Sequence, residues 1–252
     1  MIDIHTHILP GIDDGAKDEA MSLEMMRTAV SEGIHTLVAT PHHQNGRYQN
    51  EREQILNDVA KLQKLADGHQ IQLKLVPGQE VRLYGGLLED FQAGKLAPIG
   101  RYLLVEFPTS HVSSFAARLF YDMQLQGLTP IIVHPERNSE LLKRPERLVE
   151  FIEKGALVQV TAASVVGKFG KKIQKFTHQL FLADAVHLIA SDAHNTTTRG
   201  FQMKAAFNWI EKKYGEEKAQ ALHENAKAVI EDKVFYPNPP SAVKSSKFLG
   251  IF

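Results

Sequence analysis

Met1-Ile2-Asp3-Ile4-His5-Thr6-His7-Ile8 opens the chain. Isoleucine alternates here with polar residues, the period-two pattern of a β-strand, so Asp3, His5 and His7 share one face. Two imidazoles at i and i+2 of a strand can converge on one metal ion. Packing alone gives little reason for polar residues on the inward face of a strand. The expectation is a metalloenzyme.

Six further short, β-branched runs follow the first: Thr36–Thr40, Gln72–Val76, Tyr102–Phe107, Pro130–His134, Leu157–Thr161 and His187–Ser191. Amphipathic stretches lie between and after them, at Asp18–Glu32, Glu51–Asp67, Leu87–Ala93, Ser113–Gln126, Pro145–Lys154, Lys168–Asp184, Phe201–Tyr214 and Glu216–Ile230. Gly33, Gly68, Gly94, Gly127, Gly155 and Gly215 fall near the ends of these stretches, where a left-handed C-cap is common. Seven alternations of strand and helix imply a parallel α/β sheet, either doubly wound or closed into a barrel. The turn Pro10-Gly11-Ile12-Asp13-Asp14-Gly15 lacks the GxGxxG that a dinucleotide-binding fold would place after its first strand. Polar residues instead gather at the carboxyl ends of most strands, where barrel enzymes place their chemistry.

The chain has 252 residues, a size that α/β barrels often reach undivided, and no repeat or linker divides it. One domain over 1–252 is expected, with an extended tail from Tyr236 that carries Pro237, Pro239, Pro240 and Lys244-Ser245-Ser246-Lys247. Phe248, Leu249, Ile251 and Phe252 are candidate anchors for that tail. Lys+Arg and Asp+Glu are equal at 29, so nothing points to a nucleic-acid or membrane surface. No run of about 18 apolar residues marks a transmembrane helix. A cleaved signal peptide would remove His5 and His7, so a cytoplasmic protein is expected. Cysteine is absent while histidine reaches 12, so any metal must sit among nitrogen and oxygen ligands.

The strand ends supply those ligands in order. His5 and His7 come first, with Asp14 in the loop behind them. Ala39-Thr40-Pro41-His42-His43, Val76-Pro77-Gly78-Gln79-Glu80 and Leu104-Val105-Glu106-Phe107-Pro108 follow, and then Val133-His134-Pro135-Glu136-Arg137-Asn138 and Ala190-Ser191-Asp192-Ala193-His194. Nine candidates (His5, His7, Asp14, His42, Glu80, Glu106, His134, Asp192 and His194) exceed what one ion needs. They suit a cluster of two or three cations bridged by carboxylates. Each has a plainer reading. A histidine at a strand end is commonly a satisfied polar group, and Asp192 could be a helix cap. Glu106 between Val105 and Phe107 resists such a reading, because burying a lone carboxylate is costly. His43 competes with His42, Asp13 reads as a turn residue, and Asp3 as a group orienting an imidazole from behind. His35, His69, His178, His187 and His223 default to surface or core roles.

Together, Asp3-x-His5-x-His7, Gly11-Ile12-Asp13-Asp14-Gly15, Ala39-Thr40-Pro41-His42-His43, Gly78-x-Glu80, Leu104-Val105-Glu106, His134-Pro135-Glu136-Arg137 and Ser191-Asp192-Ala193-His194 resemble the PHP (polymerase and histidinol phosphatase) superfamily. Its CpsB/CapC branch of manganese-dependent protein-tyrosine phosphatases is the nearest match, running from Met1 to about Val229. The resemblance implies a distorted TIM-like (β/α)7 barrel with its metal site at the C-terminal strand ends. It implies two to three manganese ions, with Fe, Zn, Co or Mg as substitutes. It also implies that Arg137 and Arg199 bind phosphate; an arginine's ordinary fate is a surface salt bridge. Phosphotyrosine would be hydrolysed by a metal-bound hydroxide attacking phosphorus in line. The implied partner is a phosphotyrosine protein, a bacterial tyrosine kinase acting in capsule or exopolysaccharide regulation; a homo-oligomer is compatible with this. Another PHP phosphoesterase such as a histidinol phosphatase would carry nearly the same metal-site residues; a kinase-binding scaffold is the other alternative, and the intact ligand set argues against it.

Overall fold

In the computed structural model of the chain, which describes residues 1–243, every strand ladder is parallel. One sheet runs β1 (Ile2–Thr6), β2 (Thr36–Ala39) and β4 (Lys74–Pro77). The other runs β3 (His42–His43), β5 (Glu80–Arg82), β6 (Tyr102–Glu106), β7 (Thr129–Val133), β8 (Leu157–Thr161) and β9 (Leu188–Ala190). β3 resumes the path of β2, and β5 that of β4, so the strands form seven staves. The ring closes beyond β9: the Asp192 N–H donates to the His5 carbonyl and the His7 N–H to the Ala193 carbonyl, both at 2.9 Å. Thr6 and Ala193 form a parallel bridge there. This is the (β/α)7 barrel that the resemblance implied.

The first, second and third staves differ from expectation in detail. The strand read through Ile8 ends at Thr6, and His7 leads into the loop. The second and third staves break at Thr40-Pro41 and Gly78-Gln79. Pro41 has no N–H for a ladder. Gly78 lies where a Cβ would approach Val38 Cγ1 to 2.7 Å, so the backbone runs too close for any side chain. The kinks re-aim the residues beyond them, His42 and Glu80, and the Glu80 N–H still reaches the Pro41 carbonyl at 3.2 Å.

The helices are α1 (Glu19–Ser31), α2 (Arg52–Gly68), α3 (Leu87–Gln92), α4 (Ala116–Leu125), α5 (Glu146–Glu153), α6 (Ala162–Val165), α7 (Lys171–Leu182), α8 (Met203–Tyr214) and α9 (Glu216–Ile230). The four-residue α6 has no periodicity to announce it in the sequence. Asp18 starts α1 by accepting the Met21 N–H at 2.9 Å, a side-chain N-cap. Gly33, Gly94, Gly127, Gly155 and Gly215 have positive φ as expected; Gly68 does not, and Gln70 takes that conformation after α2.

Two hydrophobic layers hold the barrel. The larger lies between the helices and strands, joining Met25, Leu62, Phe120, Phe151 and Leu180 to Leu37, Leu103, Ile132 and Val158. In the smaller, Ile4, Val38, Leu104, Ile131, Leu157 and Leu188 come from six strands, and only a closed interior lets them meet. Ala226 and Val229 of α9 seal this interior at the end where the strands begin. Each fully buried aliphatic side chain contributes about 1.5–3 kcal/mol, so this floor is the rigid base for the opposite rim.

From Glu231 to Val243 the chain has no regular structure but is docked. The Tyr102 hydroxyl donates to the Lys233 carbonyl, Phe235 stacks on Tyr102 at 6.2 Å, and the Ser241 N–H reaches the Ala183 carbonyl at 2.8 Å. Lys244-Ser245-Ser246-Lys247 and the candidate anchors Phe248, Leu249, Ile251 and Phe252 lie outside the described residues. No helix among the described residues is long and apolar enough to cross a membrane.

Candidate metal centre

All nine candidate ligands meet at the rim formed by the carboxyl ends of the staves. His7, Asp14, His42 and His194 each place one ligand atom within 4.8 Å of the others, as do His5, His7 and Glu80, and His42, Glu80 and Glu106. Glu80, His7 and His42 each belong to two groups. His134 joins through Nε2, 2.7 Å from Glu80 Oε1. Asp192 Oδ1 lies 3.4 and 3.5 Å from Nε2 of His7 and His5. The strand ends that deliver His134 and Asp192 are strained: φ is +38° and +54°, a region that non-glycine residues avoid.

The imidazoles are aimed from behind. His5 Nδ1 is 2.8 Å from Gln159 Oε1, His7 Nδ1 is 2.7 Å from Asp13 Oδ2, and His194 Nδ1 is 2.9 Å from the Asp192 carbonyl. With the proton held on Nδ1, each Nε2 lone pair faces the centre. There those lone pairs meet carboxylate oxygens. Glu80 Oε2 lies 2.8, 3.2 and 3.4 Å from nitrogens of His42, His7 and His5, yet it has no hydrogen bond. His42 Nδ1 and His194 Nε2 are likewise buried without a partner. Buried acceptors that face one another are costly unless positive charge, a metal ion or a proton, lies between them. The donor set, imidazole with carboxylate, fits borderline divalent ions such as Mn, Fe or Zn.

Three residues serve the site in ways the sequence did not announce. Asp13 is a turn residue, since Oδ1 accepts the Gly15 N–H at 2.9 Å, but its Oδ2 also holds His7 and accepts the His42 N–H at 3.1 Å. Gly15 permits this fold-back: a Cβ there would lie 2.0 Å from the His7 carbonyl oxygen. Gln159 was unassigned, although an amide inside the apolar run Leu157–Val160 was a signal. Glu136 is fully buried and accepts the Thr161 N–H, the Thr161 hydroxyl and the Ser164 hydroxyl at 2.6–2.9 Å, fixing the turn that carries Arg137. Asp3 differs from expectation: it orients no imidazole and accepts the backbone N–H groups of His5 and Ser191 at 3.3 and 3.0 Å. His43 is buried against Tyr84, outside the groups, which decides between it and His42. His35, His69, His178, His187 and His223 also stay outside them.

Charge at the rim is divided. Burial, with Arg137 beside it, lowers His134 to about 4, and burial with His7 nearby lowers His194 to about 4. Both are neutral and ligand-ready near pH 7. Burial opposes a proton on His42, but the Glu80 charge outweighs it and lifts His42 to about 9. Burial also opposes ionisation of Asp192, and Arg137 overrides it and holds the carboxyl well below its usual range. Glu106 is raised, by burial and then by Glu80.

Asp14, His42, Glu106, His134, Arg137 and Arg199 line one cavity of about 270 Å³ over the cluster. Arg137 makes no ordinary surface pair, because its carboxylate partner is buried. Arg137 donates from one terminal nitrogen to Asp192 Oδ2 at 2.6 Å. Arg199 donates to Asp14 Oδ2 at 3.2 Å and has its other terminal nitrogen 3.6 Å from Asp192 Oδ2. Arg82 Nε donates to Glu106 Oε2 at 2.7 Å. Two guanidinium groups thus lean over a pocket whose base is a carboxylate–imidazole cluster, an arrangement that can hold a tetrahedral dianion.

A family model described as capsular polysaccharide synthesis, CpsB/CapC, matches residues 1–231. Tyrosine-protein phosphatase YwqE of Bacillus subtilis (strain 168) is 44% identical over 254 residues, covering 100% of each chain. Tyrosine-protein phosphatase CpsB of Streptococcus pneumoniae is 30% identical over 243 residues, covering 93% of this chain and 100% of that one. One chain from the crystal structures of YwqE and CpsB, metal-dependent tyrosine phosphatases, superimposes with a TM-score of 0.95. It is 44% identical, over 97% of this chain and 100% of that one.

Proposed function

The chain belongs to the CpsB/CapC family, and from that premise we propose that it is a metal-dependent protein-tyrosine phosphatase. The observation that carries this reading is the convergence of buried, unpartnered ligand atoms beneath two arginines in a single cavity.

We assign His5, His7, Asp14, His42, Glu80, Glu106, His134, Asp192 and His194 to two or three manganese ions, with Glu80 shared between groups. Bound there, such cations lower the pKa of water and neutralise charge on phosphoryl oxygens. The protein's own residues do the rest. Asp13 and Gln159 keep the His7 and His5 protons on Nδ1, so both Nε2 atoms stay available. Arg137 is tethered at one terminal nitrogen and presents the remaining edge of its fork to the cavity; Arg199 closes from the side of Asp14. Together they hold the non-bridging oxygens while charge moves to the leaving group. A phenolate leaves readily, so phosphotyrosine needs less proton donation than an alkyl ester. With no cysteine in the sequence, a thiolate nucleophile is excluded.

The proposed partner is a tyrosine kinase and its substrates in capsule synthesis. Such a kinase consumes ATP, which sets the reaction in the cytoplasm. The test compares phosphotyrosine peptide, phosphoserine peptide and histidinol phosphate, after EDTA and after manganese is restored. Manganese-restored preference for phosphotyrosine is expected. Preference for histidinol phosphate would move the chain to the alkyl-phosphate branch, and no turnover of any substrate would leave a scaffold.

A further inference from the structure

Lys168, Lys171, Lys172, Lys175, Lys212 and Lys213 are exposed, and none has an ion-pair partner among the described residues. In a chain with 29 basic and 29 acidic residues this is a local concentration of charge. Lys171 and Lys172 also occupy the first turn of α7, where the helix dipole disfavours cations, so helix stability does not account for them. Between α7 and α8 runs a groove of about 560 Å³ lined by Lys171, Lys175, Lys213, Trp209 and Leu182, with no carboxylate in its wall. Leu182 is 72% exposed there, an apolar side chain left in water.

The helix that forms one wall of this groove is linked to the catalytic cavity through Phe169 and Arg137. Phe169, two residues before α7, has its ring 5.5 Å from the Arg137 Cζ. α7 packs on the turn Pro135–Arg137 that carries that arginine. From Lys171 to Leu182 the helix rises about 16 Å, which an extended peptide covers in roughly five residues.

We propose that the groove between α7 and α8 docks an acidic stretch of the phosphotyrosine protein substrate, the segment leaving the cavity past Phe169. The proposal rests on the phosphatase reading. Its chemistry is distinct from that of the cavity: lysines give long-range attraction and register, and Trp209 with Leu182 accepts an apolar side chain within the acidic segment. Exposed charges of this kind act on encounter and KM, and salt screens them over about 10 Å.

The test is the triple variant K171E/K175E/K213E, assayed with an acidic phosphotyrosine peptide, a neutral one and p-nitrophenyl phosphate. The expected result at low salt is a KM for the acidic peptide raised about tenfold or more, with kcat unchanged. Turnover of p-nitrophenyl phosphate and of the neutral peptide should stay within twofold of wild type. K171R/K175R/K213R should restore the wild-type KM, and high salt should erase the wild-type preference for the acidic peptide. An unchanged KM for the acidic peptide overturns the proposal, as does an equal rise for all three substrates. Unchanged peptide KM with lost binding to phosphatidylserine vesicles overturns it in favour of a membrane surface. If wild-type protein hydrolyses none of the three, the phosphatase reading has failed. Fluorescence anisotropy of the labelled acidic peptide then decides the groove: weaker binding to the triple variant supports it, and equal binding overturns it.

Discussion

The two ends of the barrel both bury histidine, with opposite consequences. At the floor, His187 is 2% exposed and stands alone. Its Nδ1 accepts the Val158 N–H at 3.0 Å, and its carbonyl accepts from Asn225 at 2.8 Å, tying β8, β9 and α9 together. At the rim, five histidines converge with four carboxylates, and several of their ligand atoms have no hydrogen bond. A buried histidine by itself is therefore no sign of chemistry. Its place along the strand is: His187 precedes β9, whereas Asp192 and His194 follow it.

The sharpest break between the two ends is expected from ligand removal. His5→Ala and Asp192→Ala should each lower manganese-activated turnover by about 1000-fold or more while the floor keeps the fold. Elemental analysis should find two to three ions in the wild type and fewer in each variant. One ion or none at full manganese loading in the wild type would sink the cluster.

Next in size is Arg137. Arg137→Ala should lower kcat/KM by roughly 100-fold, about 2.7 kcal/mol, with metal content intact. Lysine should replace it poorly, because an ammonium cannot offer a planar fork to both Asp192 and a phosphoryl oxygen. The loss should fall on kcat if the contact strengthens as charge shifts. Arg199, more exposed and more loosely held at 3.2 Å, should show the smaller loss of the two. Wild-type kinetics in both alanine variants would remove these arginines from the mechanism.

At the floor, a change should leave turnover at neutral pH untouched and alter stability with pH instead. Burial, with Lys218 nearby, lowers His187 to about 4. The folded state then binds fewer protons than the unfolded state below the ordinary histidine value near 6.5. Stability from this group is complete above that value and is lost as pH falls towards 4, on the order of 3 kcal/mol in all. Urea midpoints measured from pH 7 to 4.5 should fall more steeply for wild type than for His187→Asn. Parallel curves would show that His187 is as easily protonated when folded as when unfolded.

Much of this was legible because the relevant periodicities are local. Alternation in Met1–Ile8 marked a strand that offers two imidazoles, and seven apolar runs between amphipathic stretches marked a parallel α/β sheet, with the choice of a barrel resting on the family resemblance. The breaks at Pro41 and Gly78 were harder to read, since each run looks continuous in sequence and only the fold brings Gly78 against Val38. α6 was invisible because four residues hold barely one turn. Asp13 reads as a turn residue, as its bond to Gly15 bears out, but its second partner, His7, comes from just beyond β1. Gln159 reaches His5 across the closed ring, a contact between residues 154 positions apart.

What the sequence determined by itself is the class of fold, the chemistry of the donors and the exclusion of a thiolate, because these follow from residue type and from spacing along one strand. Only the tertiary structure decided that β9 closes onto β1, that His42 rather than His43 faces the centre, and that Asp13 and Gln159 set the proton positions of the imidazoles. It also placed Phe169, just ahead of the lysines of α7, against Arg137. Those relations join side chains from staves far apart in the chain. The distance between such groups is fixed by barrel closure and backbone kinks, which local periodicity does not encode.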